Sequence, residues 1–346
     1  MSPASSRPPA DLVQPFEALP WLQPHWQRLW DAHRNGRLGH ALLLTGPPGI
    51  GKRHFADQFA AALMCDKPGA NGQPCAVCAD CTLFASGNHP DLTHLEPDPE
   101  SKSGEIRVDA VRELCSRQAL TASRGPRAVL RIAPADAMNP FAANSLLKTL
   151  EEPADSTLLM LVAEHPSRLP ATVLSRCQRL TMLPPDADSA AAWLSDRLGD
   201  RKFDLGLLLR LAHGAPLRAQ VLADTQWLKQ REESFRRFQA ITEGREDPLG
   251  VAGAWQQMEA TLVLEWLASW VSDLLRIGCD RHVGYLNNPD WRSELSVMAE
   301  RLVPAATHRY LQQLLRARAL ATSSVNKLLL FESLLVRWAR LATGAH

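Results

Sequence analysis

Hydrophobic and polar positions change rhythm once along this chain, and the change separates two kinds of region. Between about residues 40 and 183, short apolar runs at Ala41–Thr45, Asp91–Leu95, Ala128–Ile132, Thr157–Val162 and Gln178–Leu183 alternate with helical periodicity. Runs of that length, spaced by helical stretches, predict strands of a parallel sheet covered by helices. Ahead of them, Trp21 to Arg37 reads as a helix that carries Trp26 and Trp30 on one face and docks on the core. Pro184-Pro185-Asp186 interrupts the alternation, and the pattern beyond it is helical throughout. Asp186 to about Leu222 forms a small helical unit with a break at Gly214, and a larger helical region follows. In that region Val263, Trp266, Leu267, Trp270, Val271 and Leu274 recur on one helical face, and Leu328, Phe331, Leu335 and Trp338 form a second stripe. Both stripes predict the core of a helical bundle.

A length of 346 residues accommodates two or three domains, each with its own core. Lys and Arg number 38 against 37 Asp and Glu, a formal charge of +1, so no global basic field holds nucleic acid and any DNA contact must be local. Residues 1–20, rich in Pro, Ser and Ala, are expected to be a flexible segment without the apolar core of a secretory signal. With no apolar run of membrane-spanning length, the expectation is a cytoplasmic protein that does not enter a membrane.

Candidate chemistry begins at Gly46-Pro47-Pro48-Gly49-Ile50-Gly51-Lys52, which satisfies G-x-x-x-x-G-K between a predicted strand and a helix starting near Arg53. Glycines let backbone N–H groups turn toward phosphate, the helix N-terminus adds the positive end of its dipole, and lysine adds a full charge. Gly46, Gly49, Gly51 and Lys52 are therefore candidate phosphate ligands for ATP or ADP; the alternative is a relic loop that binds nothing. Arg53 stands where a hydrolase carries the Ser or Thr that holds Mg²⁺. The strand Ala128–Ile132 runs into Ala133-Pro134 instead of the acids that would hold the metal and activate water, and Asp136 is displaced from that place. Slow or absent hydrolysis follows.

Cys65, Cys75, Cys78 and Cys81 stand apart from the other cysteines, Cys115, Cys177 and Cys279. Their Cys-x9-Cys-x2-Cys-x2-Cys spacing supplies four thiolates, enough for a closed, structural Zn²⁺ site. Turn-formers Pro68, Gly69, Gly72 and Pro74 fill the interval. His89 or His94 could replace Cys65 as a ligand, and unrelated thiols or a redox pair are the competing readings.

Downstream lie Asn144-Ser145-Leu146-Leu147-Lys148-Thr149-Leu150-Glu151-Glu152-Pro153 and Leu174-Ser175-Arg176-Cys177-Gln178-Arg179. The first resembles the LLKTLEEP helix and the second the SRC motif of the clamp-loader branch of AAA+ proteins. The order of parts agrees with that family from about His40 to Arg179. The resemblance implies an α/β AAA+-type P-loop domain at 21–183 with a zinc module at 65–81, a helical lid at 184–222 and a helical collar for oligomerisation at 223–346. It also implies membership of the bacterial DNA polymerase III holoenzyme, in a heteropentamer with a delta subunit and gamma/tau motor subunits that loads the sliding clamp on primer–template DNA. Motor subunits of the family keep Lys-Ser/Thr and Asp-Glu, whereas this sequence keeps Lys52 and the SRC arginine and loses the rest. Arg176 is then the arginine given in trans to a neighbour's ATP site, and the chain is not catalytic alone; in isolation the same residue would read as half of a local ion pair. Gly214-Ala215-Pro216-Leu217-Arg218 resembles the place of a second phosphate-sensing arginine, but Arg218 stands one position late.

Three other functions compete. An active motor ATPase of the same assembly is opposed by Arg53 and Ala133-Pro134. A small-molecule P-loop kinase leaves the SRC motif and the helical C-terminal third unexplained, and a zinc-ribbon DNA-binding protein lacks the basic stripe.

Overall fold

The computed structural model describes residues 13–98, 104–117, 123–125, 127–154, 156–321 and 325–343, and these divide into two compact units between Ser189 and Ala190. The first contains, in order, α1 (Gln23–Arg34), β1 (Ala41–Thr45), α2 (Lys52–Met64), α3 (Ala79–Ala85), β2 (Leu92–Leu95), α4 (Val108–Arg117), β3 (Ala128–Ile132), α5 (Pro140–Ser145), α6 (Leu147–Glu151), β4 (Thr157–Ala163), α7 (Ala171–Leu174) and β5 (Gln178–Thr181). Every strand predicted from the apolar runs is present, β2 starting one residue later than its run and β5 closing at Thr181, two residues before the end of its run.

All pairings are parallel and the strand order is β2-β3-β4-β1-β5. The central strands β1 and β4 are buried at every position, which is why Ala41–Thr45 and Thr157–Ala163 are apolar without alternation. One face packs Leu43, Leu130, Leu159 and Leu161 against Val111, Leu114, Leu146 and Val173. Leu42 aligns with Gln178 and Thr45 with Thr181, so β1 and β5 start together and end together.

Residues 1–12 of the segment expected to be flexible lie outside the described residues. Val13 and Leu19 are buried, and Gln58 of α2 donates to the Phe16 carbonyl. Trp26 and Trp30 of α1 are buried on one face, as their spacing predicts, and both reach the cysteine-bearing loop. Trp26 Nε1 donates to the Asn71 carbonyl at 2.9 Å, and the Trp30 ring lies so close over Gly72 that a Cβ there would meet it at 2.2 Å.

The second unit holds α8 (Ala187–Leu198, which enters from the first), α9 (Leu205–Leu211), α10 (Pro216–Leu222), α11 (Thr225–Thr242), α12 (Pro248–Trp255), α13 (Ala260–Cys279), α14 (Arg292–Ala299), α15 (Pro304–Leu320) and α16 (Lys327–Thr343). Asp224 caps α11 by accepting from the Gln226 and Trp227 amides, and Asp247 caps α12 ahead of Pro248 at its first position. The predicted stripes lie in the core: Val263, Trp266, Leu267, Trp270, Val271 and Leu274 of α13 share one buried cluster with Phe331, Leu335 and Trp338 of α16, and Leu328 packs against it partly buried. Phe238 stacks on Trp338 at 4.7 Å between centroids. Among the described residues, no helix is long and apolar enough to cross a membrane.

A polar centre interrupts this core. Asp273, fully buried on α13, accepts from the backbone amides of Asn287 (3.0 Å) and Asn288 (2.7 Å) and from both asparagine side chains. Arg231 reaches the same loop through Asp290 and Asn288 and lies over the Trp291 ring at 3.9 Å. The long connection from Cys279 to Arg292 is thereby fastened to α11 and α13.

Asp273→Ala strands the buried Asn287 and Asn288 amides and leaves Arg276, 3.1 Å from the same carboxylate, without that partner; the expected loss is about 3 kcal/mol of that unit's stability, read by thermal or urea unfolding. Gly72→Ala asks for a positive φ from an L side chain and drives a methyl into Trp30. A cost of about 2–4 kcal/mol is expected, with faster thiol labelling of the neighbouring cysteines as the second readout.

Candidate functional site

The carboxyl ends of the strands are where a parallel sheet presents its loops to ligands. β1 delivers Gly46–Gly51 there, flanked by the exits of β4 and β5. Gly46 is obligatory at this point, because a Cβ would lie 2.2 Å from the Met182 carbonyl oxygen. Gly51 caps α2 in the left-handed region at φ 93°, and α2 begins at Lys52, placing its free amides on the loop. The strand, glycine-bearing turn and helix predicted by the sequence are therefore present in that order.

Its charges, however, are matched internally. Lys52 is buried, and its Nζ donates to the Pro47 carbonyl at 2.7 Å. Burial pushes the Lys52 ammonium below the usual lysine range, while the carboxylates of Glu164 and Asp136 pull the other way. Glu164 follows β4 directly, a carboxylate that sequence reading did not single out; only the order of strands brings it beside the loop. Asp136 in turn accepts from the backbone amides of Glu164 and His165, both at 3.1 Å, so each oxygen is engaged in tying the exit of β3 to that of β4. Arg53, at the place of the metal-holding hydroxyl, pairs with Glu96 at 2.5 Å. Glu96 also takes the buried Arg131 of β3 at 3.0 Å, and Arg131 pairs with Asp57 of α2 at 2.8 Å. Among the described residues, no carboxylate stands directly at the end of β3, where Ala133 and Pro134 follow.

Arg176 lies at the other end of the sheet. It precedes β5 by two residues, and β5 starts level with Leu42. Roughly 13 Å of strand, at about 3.3 Å per residue, separates that level from Gly46. Its guanidinium pairs through Nη2 with Glu151 at 2.7 Å and donates through Nη1 to the Thr172 carbonyl at 3.0 Å and to Ser175 Oγ at 3.4 Å. The side chain keeps 36% of its surface exposed. Neighbouring Cys177 points inward, and burial raises its thiol to about 11. The local ion pair named as the competing reading of Arg176 is thus formed in the single chain.

Arg218, in the second unit, is spoken for: it pairs with Glu265 of α13, which also faces Arg318.

The four clustered cysteines come together. Their sulfurs lie within 4.8 Å of one another, with Cys65–Cys78 and Cys75–Cys81 separations of 3.9 Å. Four sulfurs about 2.3 Å from one tetrahedral ion would be about 3.8 Å apart, so the set fits a metal. Cys65 ends α2 and Cys78 caps α3, accepting from the Cys81 amide. Amides of Cys75 and Cys78 point at the sulfurs of Cys65 and Cys75, both at 3.3 Å. The Val77 and Cys78 amides lower Cys75 to about 6, whereas burial raises Cys65 and Cys81. A cation among them would offset that burial.

Neither histidine considered as a substitute ligand takes part. His89 Nδ1 accepts from the Asp91 amide and its Nε2 faces Asp80, which also binds Arg124 at 2.7 Å. His94 Nδ1 accepts from Arg131 Nε at 2.9 Å; burial, then that guanidinium, lowers its ring to about 4.

Comparison with known proteins agrees with the motifs. Residues 22–186 match the family model described as DNA polymerase III, delta subunit, and residues 225–340 match that of its C-terminal part. The delta-prime subunit of Pseudomonas aeruginosa DNA polymerase III is 36% identical over 330 residues, covering 94% of this chain and 98% of the relative. Its Escherichia coli K12 counterpart is 32% identical, with 92% and 94% covered. Among solved structures, a DNA polymerase III gamma subunit-related protein from Thermotoga maritima aligns over 88% of this chain and 95% of its own, at 16% identity and a TM-score of 0.43. Two family models spanning most of the sequence and full-length relatives above 30% identity lead to one assignment: the chain belongs to the delta-prime subunit family of DNA polymerase III.

Proposed function

We propose that this chain is a non-hydrolysing subunit of the DNA polymerase III clamp loader that gives Arg176 to the ATP site of a neighbouring gamma/tau motor subunit. Its partners in this reading are the motor and delta subunits of a heteropentamer, acting on the sliding clamp at primer–template DNA. The observation that carries the reading is the position of Arg176 at the amino end of the sheet, remote from its own phosphate loop. A guanidinium so placed cannot serve that loop, yet it is exposed, planar and permanently charged, the chemistry that stabilises a transferring phosphoryl group in trans. Engagement of Arg53 with Glu96 and of Asp136 with two backbone amides supports loss of the chain's own turnover. Residues 184–222 act as the lid and 223–346 as the collar through which the ring assembles.

In this reading a nucleotide binds at Gly46, Gly49, Gly51 and Lys52, and the chain lacks the groups to cleave it. Cys65, Cys75, Cys78 and Cys81 hold a structural Zn²⁺, which leaves no open coordination position for catalysis.

In a reconstituted loader, Arg176→Ala should keep its melting temperature and lose transition-state stabilisation on the order of 10³-fold at the site it serves, seen as lost DNA-stimulated ATPase. Motor-like hydrolysis by the isolated chain, or full loader turnover by the variant, would overturn this function. Protein purified under reducing conditions should carry about one equivalent of zinc, and Cys78→Ser should lose it; metal analysis showing none rejects the zinc site.

A further inference from the structure

The ion pair between Arg176 and Glu151 has a functional use that a local strut would not have. We propose that Glu151 is a positioning residue for Arg176: its carboxylate holds the guanidinium in the rotamer from which a neighbour's phosphate takes it over. The inference rests on the trans role given to Arg176 above.

Glu151 is the last residue of α6, and Arg176 follows α7, so the contact exists only because those two short helices are neighbours at the amino end of the sheet. His40 Nε2 lies 3.0 Å from the Leu150 carbonyl, which fixes the end of α6 to the residue preceding β1. The carboxylate is therefore mounted on the sheet. It meets Nη2 at 2.7 Å while the Thr172 carbonyl and Ser175 hydroxyl take Nη1. A long exposed side chain otherwise spreads over many rotamers, and ordering it at the moment of reaction costs entropy.

Exposure decides between a lock and a holder. Both partners are open to water, with 36% of the Arg176 side chain and 51% of the Glu151 side chain exposed. A pair so solvated is screened and exchangeable. It is strong enough to bias the rotamer, and a triphosphate, carrying several charges to the carboxylate's one, displaces it.

The test uses the loader reconstituted from the full chain with cognate motor and delta subunits, with DNA-stimulated ATPase followed across ATP concentrations. Glu151→Ala should lower kcat about two- to fivefold, the size of an exposed ion pair, with KM for ATP unchanged, because Arg176 acts in the transition state. Glu151→Gln, which keeps an accepting oxygen without the charge, should fall between; it carries the test if the alanine variant fails to assemble. In an Arg176→Ala background the Glu151 change should have no added effect. Wild-type kcat for both Glu151 variants, with Arg176→Ala depressed, overturns the positioning role and leaves the trans role standing. An added loss in the Arg176→Ala background also overturns it, and full turnover by Arg176→Ala overturns both readings.

Discussion

The polarity of the parallel sheet governs what this chain can do. Because β1 and β5 start level and run the same way, the loop after β1 and the turn before β5 emerge at opposite ends. A phosphate loop and an arginine set within one fold in this manner cannot meet. Each is left to look outward, the loop at the carboxyl ends of its own strands and Arg176 toward whatever packs against the amino ends. Strand direction alone keeps the two apart, and it needs no special device at either site.

Charge is handled consistently around that frame. Arg53 is matched by Glu96, Arg131 by Asp57 and Glu96, Arg176 by Glu151 and Arg218 by Glu265. The near-zero net charge of the chain is thus accompanied by local pairing of these arginines. Burial separates the pairs by consequence. Arg131 lies within the sheet and removal of one partner would leave a buried charge, whereas the Arg176 pair remains solvated and can change partners. Arg53 does both a structural and a chemical thing at once: it fastens the start of α2 to the end of β2, and it fills the place of the hydroxyl that would hold Mg²⁺.

The cysteine module shows how a segment poor in apolar residues is held on a larger fold. Trp26 grips the Asn71 carbonyl, Trp30 covers Gly72, and Gln58 of α2 donates to the Gln73 side chain at 2.7 Å. On the other flank Asp80 binds Arg124, while Asp91 accepts from the amides of Ser123, Arg124 and Gly125. The sulfurs therefore converge within a frame built by α1, α2 and the strand connections.

Local signals in the sequence reached far. Apolar runs fixed the strands because a strand buried on both faces has no polar alternation, and the stripes on α13 and α16 foretold a core because helical periodicity places them on one face. The phosphate loop and the cysteine spacing were legible since both are contiguous motifs whose chemistry is nearly complete in the chain itself. Strand order was not legible, and with it went everything that depends on long-range neighbours: Glu164 beside Lys52, Glu96 beside Arg53, and the histidines drawn to Asp80, Asp91 and Arg131 instead of the sulfurs. Glu151 stood in plain view within LLKTLEEP, but nothing in its sequence position pairs it with a residue 25 places on. Contiguous residues determine which groups are available; only the packing of α6 beside α7 and of β1 between β4 and β5 decides which of them meet, since those approaches are set by tertiary burial and not by any local preference.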